Sequence, residues 1–215
     1  MRVCRQGWPF VIGCFIVGTM LLEAGQALHV QVLVWGAGLF FLGALYCAYF
    51  FRDPRRTIPS GDRLILAPAD GKILEVVQGQ DGGPVWVVRI FLSIFDPHLQ
   101  RTPMVGQVKA IRYQKGKFLD ARDPRAAFEN EQNRIEIVAR AGSRDVPITV
   151  TQIAGLIARR IVCWVHEGQV LTAGQQIGLI RFGSQVDMTF PATARVRVKA
   201  GDRVIAGETV LAEVE

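Results

Sequence analysis

The sequence predicts a mainly β protein that begins with a transmembrane helical hairpin. Two apolar runs without a charged side chain, Trp8–Leu22 and Val30–Phe51, open the chain. Beyond them, short segments rich in Val and Ile are separated by Gly, Pro and polar residues, which is typical of β-strands. We therefore assign residues 1–51 to a membrane anchor of two apolar helices and residues 52–215 to a β-rich domain.

The anchor is predicted from the length of its apolar runs and from the charges that flank them. At about 1.5 Å per residue, Val30–Phe51 extends roughly 33 Å and spans a bilayer core. Trp8–Leu22 is shorter and marginal, so a re-entrant helix or a cleaved signal peptide is an alternative for it. Arginines precede the first run and follow the second: Arg2, Arg5, Arg52, Arg55 and Arg56. By the positive-inside rule, both ends of the hairpin and the β-rich domain lie on the cytoplasmic side of the cell (inner) membrane.

The net charge restricts the expected partners, and the cysteines restrict the expected disulfides. The formal net charge is +6, but Lys and Arg are scattered among the predicted strands. Because they form no basic run with aromatic residues, we expect no nucleic acid partner. Anionic lipid head groups explain the same sign of charge. The cysteines lie mostly in or beside the apolar runs, so no disulfide framework is expected, and no metal site is expected either.

The β-rich domain follows a polar linker, "RDPRRTIPSGDR". Its predicted strands are, in order, "KILEVV", "VWVVRIFLSI", "GQVKAIRY", "RIEIVA", "PITVTQIA", "RIVCWV", "IGLIRF", "ARVRV" and "TVLAEV". One stretch, "DPRAAFENEQN", has helix-forming residues but is polar and short. We expect a mobile or partly helical loop there.

A weak internal repeat marks the C-terminal third. Gly168 and Gly174 match Gly201 and Gly207 at a constant offset, and Val and Ile flank each pair. This spacing favours paired strands with tight turns in a small sandwich or barrel. It is similar to the barrel-sandwich scaffold of biotinyl and lipoyl carrier domains, although neither repeat has the carriers' lysine at a hairpin tip.

Two breaks after hydrophobic segments carry titratable side chains. His98 stands in "FLSIFDPHLQRTP", where a strand ends in a loop, and such a loop on a rigid scaffold is a common place for a catalytic residue. Asp70 stands in "ILAPADGKI", where turn formation is the simpler explanation for an aspartate taken alone. His29 and His166 lie at a helix connection and a strand boundary, and neither is expected to be catalytic.

A Gly-Ser pair, Gly183 and Ser184, separates two strand-like runs in "GLIRFGSQVDMTFP". Both residue types are common in turns, so the local interpretation is a β-hairpin.

Five motifs in this order resemble the short form of phosphatidylserine decarboxylase. They are "FFRDPRRTIP" after the membrane segment, "APADGKI", "FLSIFDPHLQRTP", "GKFLDA" with "ENEQN", and "RFGS". The resemblance runs from about Phe50 to the Gly-Ser pair. It implies pyruvoyl-dependent decarboxylation of phosphatidylserine to phosphatidylethanolamine, with phosphatidylserine and membrane lipid as partners.

The resemblance also implies that the chain makes its own cofactor. The hydroxyl of Ser184 attacks the carbonyl carbon of Gly183, and an ester replaces the peptide bond. Elimination then cuts the chain into a large fragment, 1–183, and a small one, 184–215, and leaves a pyruvoyl group derived from Ser184. This carbonyl condenses with the amine of the substrate and accepts the electrons left by CO2. The chemistry requires an oxygen on the Cβ of the nucleophile, and a residue without a Cβ permits the turn that the attack needs. A hairpin would present the pair.

One position departs from the family pattern. Longer members have two histidines three residues apart, and the second belongs to the aspartate, histidine and serine triad of self-cleavage. Here His98 matches the first, whereas Arg101 stands at the second. We expect Asp70 to orient His98 and His98 to serve both maturation and decarboxylation; a different base for maturation is the alternative. Because an arginine stays protonated at working pH, Arg101 is expected to bind the carboxylate or phosphate of the substrate.

Two other functional classes are open on the sequence alone. A membrane-anchored barrel-sandwich adaptor or carrier explains the anchor and the glycine repeat. A phospholipid-binding module without catalysis explains the positive charge. Both predict one intact chain, whereas the decarboxylase predicts two fragments. A homo-oligomer is allowed.

Overall fold

The computed structural model describes residues 2–80, 83–156, 160–181 and 184–215. The chain divides into two compact units, one up to Arg55 and one over Arg56–Glu215. We call the second unit the β domain. The boundary lies four residues later than the predicted end of the anchor at residue 51, because the segment after the second helix pairs with the N-terminus.

The N-terminal unit is a pair of helices closed by a short two-stranded sheet. Its elements are β1 (Arg2–Val3), a 3-10 turn (Arg5–Gly7), α1 (Trp8–Ala27), α2 (Gln31–Phe50) and β2 (Arg52–Asp53). The strand β1 pairs antiparallel with β2. Within the described residues, α1 and α2 are long and apolar enough to cross a membrane. The helix α1 continues past the apolar run Trp8–Leu22, so it reaches 20 residues and extends about 30 Å.

Close packing of the two helices depends on small residues. A side chain added at Gly18 would come within 2.8 Å of the ring of Phe41, and one at Gly25 would come within 2.9 Å of Val34. The glycines therefore let α2 approach α1 at these two levels.

The β domain consists almost entirely of strands. They are β3 (Leu64–Leu66), β4 (Gly71–Gln80), β5 (Pro84–Leu92), β6 (Leu99–Arg101), β7 (Gly106–Gln114), β8 (Gln132–Ala141), β9 (Arg144–Ile153), β10 (Arg160–Cys163), β11 (Val170–Leu171), β12 (Gln176–Arg181), β13 (Ser184–Pro191), β14 (Arg195–Val196), β15 (Arg203–Val204) and β16 (Val210–Glu213). A short helix, α3 (Ala126–Glu129), interrupts the loop between β7 and β8. The predictions of a mainly β protein and of a partly helical loop are therefore confirmed.

In the described part of the domain, the strands form one eight-stranded sheet and two three-stranded sheets. The large sheet has the order β11-β7-β8-β9-β13-β5-β4-β15, and the smaller ones have the orders β10-β12-β6 and β14-β16-β3. Alternate residues of β5, Val88, Ile90 and Leu92, are fully buried and share one core cluster with Ile177 and Ile180 of β12. The core thus lies between the large sheet and the smaller ones, as the period-2 alternation of the strands requires.

The predicted hairpin at the Gly-Ser pair is wrong. The strand β12 pairs with β10 and β6 in a small sheet, whereas β13 pairs with β5 and β9 in the large sheet. The chain therefore changes sheets between Arg181 and Ser184. A strand, two small or apolar residues and a second strand give the same local pattern in a hairpin and in a crossover, so the pattern did not distinguish them. Gly183 itself lies outside the described residues.

The glycine repeat does mark turns. All four of its glycines have positive φ, 81° at Gly168, 73° at Gly174, 93° at Gly201 and 75° at Gly207. Glycine adopts this backbone conformation without the penalty that a Cβ brings. The tight turns are confirmed, and the likeness to biotinyl and lipoyl carrier domains stays a prediction.

Candidate active site

Asp70 and Ser184 lie at the same end of the large sheet, where the ends of the neighbouring strands β4, β5 and β13 meet. Near its C-terminal end, β5 is flanked by the start of β4, where Lys72 faces Phe91, and by the start of β13, where Ser184 faces Leu92. Neighbouring strands lie about 4.8 Å apart, so the backbones of β4 and β13 are about 10 Å apart across β5. Asp70 directly precedes β4 and therefore lies close to this end of the sheet.

His98 reaches the same region through the loop after β5. Asp96 shapes this loop, because its Oδ2 accepts hydrogen bonds from the Ser93 backbone N at 2.9 Å and from the Ser93 hydroxyl at 2.7 Å. The carbonyl oxygen of His98 then accepts the N–H of Ile180 at 3.3 Å. His98 is thereby held beside the last residues of β12, which lead to the Gly-Ser pair.

The ring of His98 is fully buried and has a defined tautomer. Its Nδ1 lies 2.8 Å from the carbonyl oxygen of Asp96. Because a carbonyl oxygen only accepts hydrogen bonds, Nδ1 carries a proton, and Nε2 has the lone pair that a base requires whenever the ring is neutral. The Asp96 carbonyl therefore helps to orient the ring, and the role of Asp70 in orienting His98 stays a prediction.

Ser184 is buried, and its hydroxyl is unsatisfied among the described residues. The residue is 0% exposed, and its Oγ has no hydrogen-bond partner among the residues that the structure describes. Leaving a buried hydroxyl unpaired costs about 1–3 kcal/mol. Such groups in a folded protein call for an explanation, and a role in chemistry is one.

Asp70 is a buried carboxylate in an ion pair. Both of its oxygens lie 2.7 Å from Nη2 of Arg56, and each side chain is only 10% exposed. Burial raises the pKa of Asp70 to about 6, although Arg56 and a hydrogen bond from the Ala206 backbone pull it down. Asp96 adds a smaller effect that raises the pKa. Asp70 therefore titrates close to neutral pH, which is common for groups at functional sites.

The structure places Arg101 between the two glycine turns of the repeat. Its Nη1 donates a hydrogen bond to the carbonyl of Gly174 at 2.9 Å, and a side chain added at Gly207 would come within 3.2 Å of its Cδ. Its backbone N–H donates to the carbonyl of Pro68 at 2.8 Å. These contacts tie β6 to the segment that carries Asp70, and the role of Arg101 in substrate binding stays a prediction.

Sequence reasoning missed a chain of buried amides that supports His98. Gln100 donates to the His98 carbonyl at 2.8 Å, Gln152 donates to Oε1 of Gln100 at 2.9 Å, and Asn133 donates to Oε1 of Gln152 at 2.9 Å. All three amides are at most 3% exposed. Single polar residues within strands look like ordinary solvent-facing positions, so the sequence carried no signal that these three meet.

Sequence reasoning also missed Arg56 as part of the site. The residue appeared only as one of the arginines that flank the membrane segment, and its position in the motif "FFRDPRRTIP" was the one signal that could have singled it out. Among the described residues, no group of three or more His, Cys, Asp and Glu side chains could hold a metal ion.

Comparison with known proteins matches this chain to one family. The sequence model of the family described as "Phosphatidylserine decarboxylase" matches residues 44–212. Three similar proteins all bear the name "Phosphatidylserine decarboxylase proenzyme". The one from Cupriavidus metallidurans is 41% identical over 99% of this chain and 95% of its own length. The one from Geobacter sp. strain M21 is 43% identical over 97% and 95%, and that of Saccharopolyspora erythraea is 44% identical over 97% and 86%. The chain therefore belongs to the phosphatidylserine decarboxylase family.

Proposed function

We propose that this chain is the proenzyme of a phosphatidylserine decarboxylase that cuts itself between Gly183 and Ser184 and works with the pyruvoyl group formed from Ser184. The observation that carries the proposal is the hydroxyl of Ser184. It is buried and unpartnered among the described residues. It lies at the end of the large sheet that also holds Asp70 and the loop with His98. The names of the relatives contain the word proenzyme, which agrees with a chain that matures by cleavage.

Maturation uses groups of the chain itself. Nε2 of His98 takes the hydroxyl proton of Ser184, and Oγ attacks the carbonyl carbon of Gly183, so an ester replaces the peptide bond and frees the Ser184 nitrogen. Removal of the Ser184 Cα proton then breaks the Cβ–O bond. Residue 183 leaves as a carboxylate, and the dehydroalanine takes up water and releases ammonia to become a pyruvoyl group. The negative charge of Asp70 stabilises the imidazolium that His98 becomes.

Decarboxylation follows at the same place. The pyruvoyl carbonyl supplies an electron sink for the loss of CO2 from an amino acid head group. His98 remains beside the new terminus and moves the proton that replaces the lost carboxyl group. Arg101 is one residue that could hold the phosphate or carboxylate of phosphatidylserine, since a guanidinium pairs with either anion. The substrate lies in the bilayer that α1 and α2 cross, with the β domain on the cytoplasmic side of the inner membrane.

The arrangement of the strands explains how the fragments stay together after cleavage. In fragment 184–215, β13 lies between β9 and β5 in the large sheet, β15 pairs with β4, and β16 pairs with β3. The small fragment therefore contributes strands on both sides of the core. Its hydrogen bonds and buried side chains hold it to fragment 1–183 without a peptide bond.

The test is to compare the chain with Ser184→Ala on a denaturing gel and by intact mass. We expect the natural sequence to give fragments 1–183 and 184–215, with a blocked terminus on the small one, and to release CO2 from phosphatidylserine. Ser184→Ala should stay intact and inactive, because one oxygen atom is both the nucleophile and the source of the carbonyl. The matched control is Ser143→Ala, at an exposed serine between β8 and β9. An intact but active natural chain would refute the proposal.

The adaptor and the non-catalytic lipid-binding module are not favoured. Both leave Ser184 and His98 without a role, and the relatives named above are decarboxylases.

A further inference from the structure

Thr57 and Ile58, which follow Arg56 in the chain, hold this segment against the rest of the β domain. The backbone N–H of Thr57 donates to Oε1 of Glu208 at 2.8 Å. The side chain of Ile58 lies against Gly174 and Gly207, where an added Cβ would collide with it. The segment that carries Arg56 is therefore fixed by contacts independent of the Arg56 side chain.

Among the residues that the structure describes, the guanidinium of Arg56 pairs with one carboxylate, that of Asp70. Nη2 lies 2.7 Å from both oxygens of Asp70, and both side chains are nine-tenths buried. A buried ion pair of this kind is a poor source of stability, because two charges must be taken out of water. Replacing both residues by neutral ones should cost the fold little, so stability alone does not account for the pair.

The charged groups facing Asp70 come from two directions. Arg56 approaches from the segment before β3, and Asp96 approaches from the loop that also carries His98. Asp96 is itself paired with Arg203 of β15 at 2.8 Å. Burial and Asp96 favour the neutral carboxyl, whereas Arg56 favours the carboxylate and lowers the pKa of Asp70. Without Arg56, Asp70 would hold its proton to a higher pH.

We propose that Arg56 is a positioning residue for self-cleavage, which orients Asp70 and keeps it ionised so that its charge supports His98. The inference rests on the proposed function, because Arg56 acts through Asp70, the carboxylate that it contacts. It assigns a maturation role to a residue of the motif "FFRDPRRTIP" that otherwise serves as a flanking charge of the membrane segment.

The experiment measures the rate of self-cleavage of the full chain, synthesised in the presence of lipid vesicles, from pH 5.5 to 9. At pH 7, Arg56→Gln should slow cleavage about two- to tenfold, because a pKa of Asp70 that rises by one to two units from about 6 lowers the ionised fraction by about that factor. The acid limb of its pH profile should move upward by about one to two units, so that cleavage recovers at high pH. Arg56→Lys should keep the natural acid limb. The matched control is Arg55→Gln, which removes the neighbouring, exposed charge and should leave the profile unchanged.

A double variant separates positioning from a general structural effect. If Arg56 acts through Asp70, Arg56→Gln combined with Asp70→Asn should cleave no more slowly than Asp70→Asn alone. Additive losses, or a loss by Arg56→Gln that is the same at every pH, would overturn the inference. If Arg56→Gln does not fold, Arg56→Lys decides: loss of its cleavage at all pH values also overturns it.

The same experiment distinguishes this inference from the function on which it rests. A natural chain that stays uncut refutes the proposed function. A natural chain that is cut, with Asp70→Asn uncut and Arg56→Gln unchanged, refutes only the role of Arg56.

Discussion

His98, Asp70 and Ser184 are three polar residues that the fold buries at the candidate site. Nδ1 of His98 contacts the Asp96 carbonyl and Asp70 pairs with Arg56, whereas Ser184 Oγ has no partner among the described residues. The least satisfied group is thus the one that must leave its position and react. Within the part of the chain that the structure describes, the hydroxyl has no hydrogen bond that the attack on Gly183 would have to break.

At this scale, His98→Ala tests whether one base serves both steps. We expect self-cleavage and CO2 release to fall together, each by about a hundredfold to ten-thousandfold, because that is the usual contribution of a positioned base. Chain cleavage and lipid product are measured separately on the same preparation. His166→Ala, at an exposed histidine, is the control. Complete cleavage without product would show that another group drives maturation.

Asp187 gives a second prediction, on stability and pH. Burial raises its pKa to about 6, although Gln185 at 2.6 Å and Arg89 at 3.3 Å lie beside the carboxylate. The folded chain therefore binds this proton more tightly than the unfolded chain, and the resulting stability is present below about pH 4 and is lost as the pH rises through 6.

Replacing Asp187 by Asn removes this dependence. Between pH 4 and pH 7, the free energy of unfolding of Asp187→Asn should rise relative to the natural chain by about 2 kcal/mol. Urea unfolding of the full chain in detergent at pH 4, 5, 6 and 7 measures the difference. Two curves that stay parallel over this range would contradict the assignment of a raised pKa to Asp187.

At the scale of elements, the site depends on how closely β12 approaches its neighbours. A Cβ added at Gly178 would come within 2.6 Å of Nε2 of Gln152 and would collide with the carbonyl of Val162 on β10. Gln152 in turn supports Gln100, which holds the His98 carbonyl. The absence of a side chain at one position of β12 is thus connected, through two amides, to the position of His98.

Gly178→Ala should therefore affect both stability and maturation. We expect a loss of about 1–3 kcal/mol from overpacking, together with slower self-cleavage because the amide chain is displaced. The control is Gly79→Ala in β4, where the added methyl meets Val85 and Val87 at 3.6 Å, an ordinary contact distance. Its effect should stay within about 0.5 kcal/mol. Equal effects of the two substitutions would argue against the role of close packing at Gly178.

At the scale of the whole molecule, we expect the two compact units to have separate roles, catalysis in one and access to lipid in the other. The core and the three sheets of the β domain all lie within Arg56–Glu215, and the apolar helices lie in the other unit. A chain that starts at Arg56 should fold and cut itself, because it retains Asp70, Arg56, His98 and Ser184.

Deletion of residues 1–55 is expected to reduce access to lipid. The shortened chain should decarboxylate phosphatidylserine in detergent micelles about as fast as the full chain, and more slowly when the substrate is in vesicles. Assays in both forms of substrate, with cleavage followed on a gel, make the comparison. If the shortened chain stays uncut, the β domain needs the helices for folding, and the expected separation of roles is wrong.

The sequence by itself determined the features that depend on residues close together in the chain. Two continuous apolar runs specified α1 and α2, and alternation of Val and Ile with polar residues located the long strands β4, β5, β7, β8 and β9. The short strands β3, β6, β11 and β15 escaped detection, because two or three residues are too few to show a period. The order of motifs identified His98, Asp70 and the Gly-Ser pair as candidates.

Only the tertiary structure decided which of these segments meet. It placed β12 and β13 in different sheets, paired Asp70 with Arg56 and brought Nδ1 of His98 within hydrogen-bond distance of the Asp96 carbonyl. Local patterns record burial and turn preference, and many strand pairings satisfy the same alternation equally well. The contacts of a buried charge or amide depend on segments far apart in the chain, as Gln100 and Gln152 are, so they are settled only when the sheets pack together.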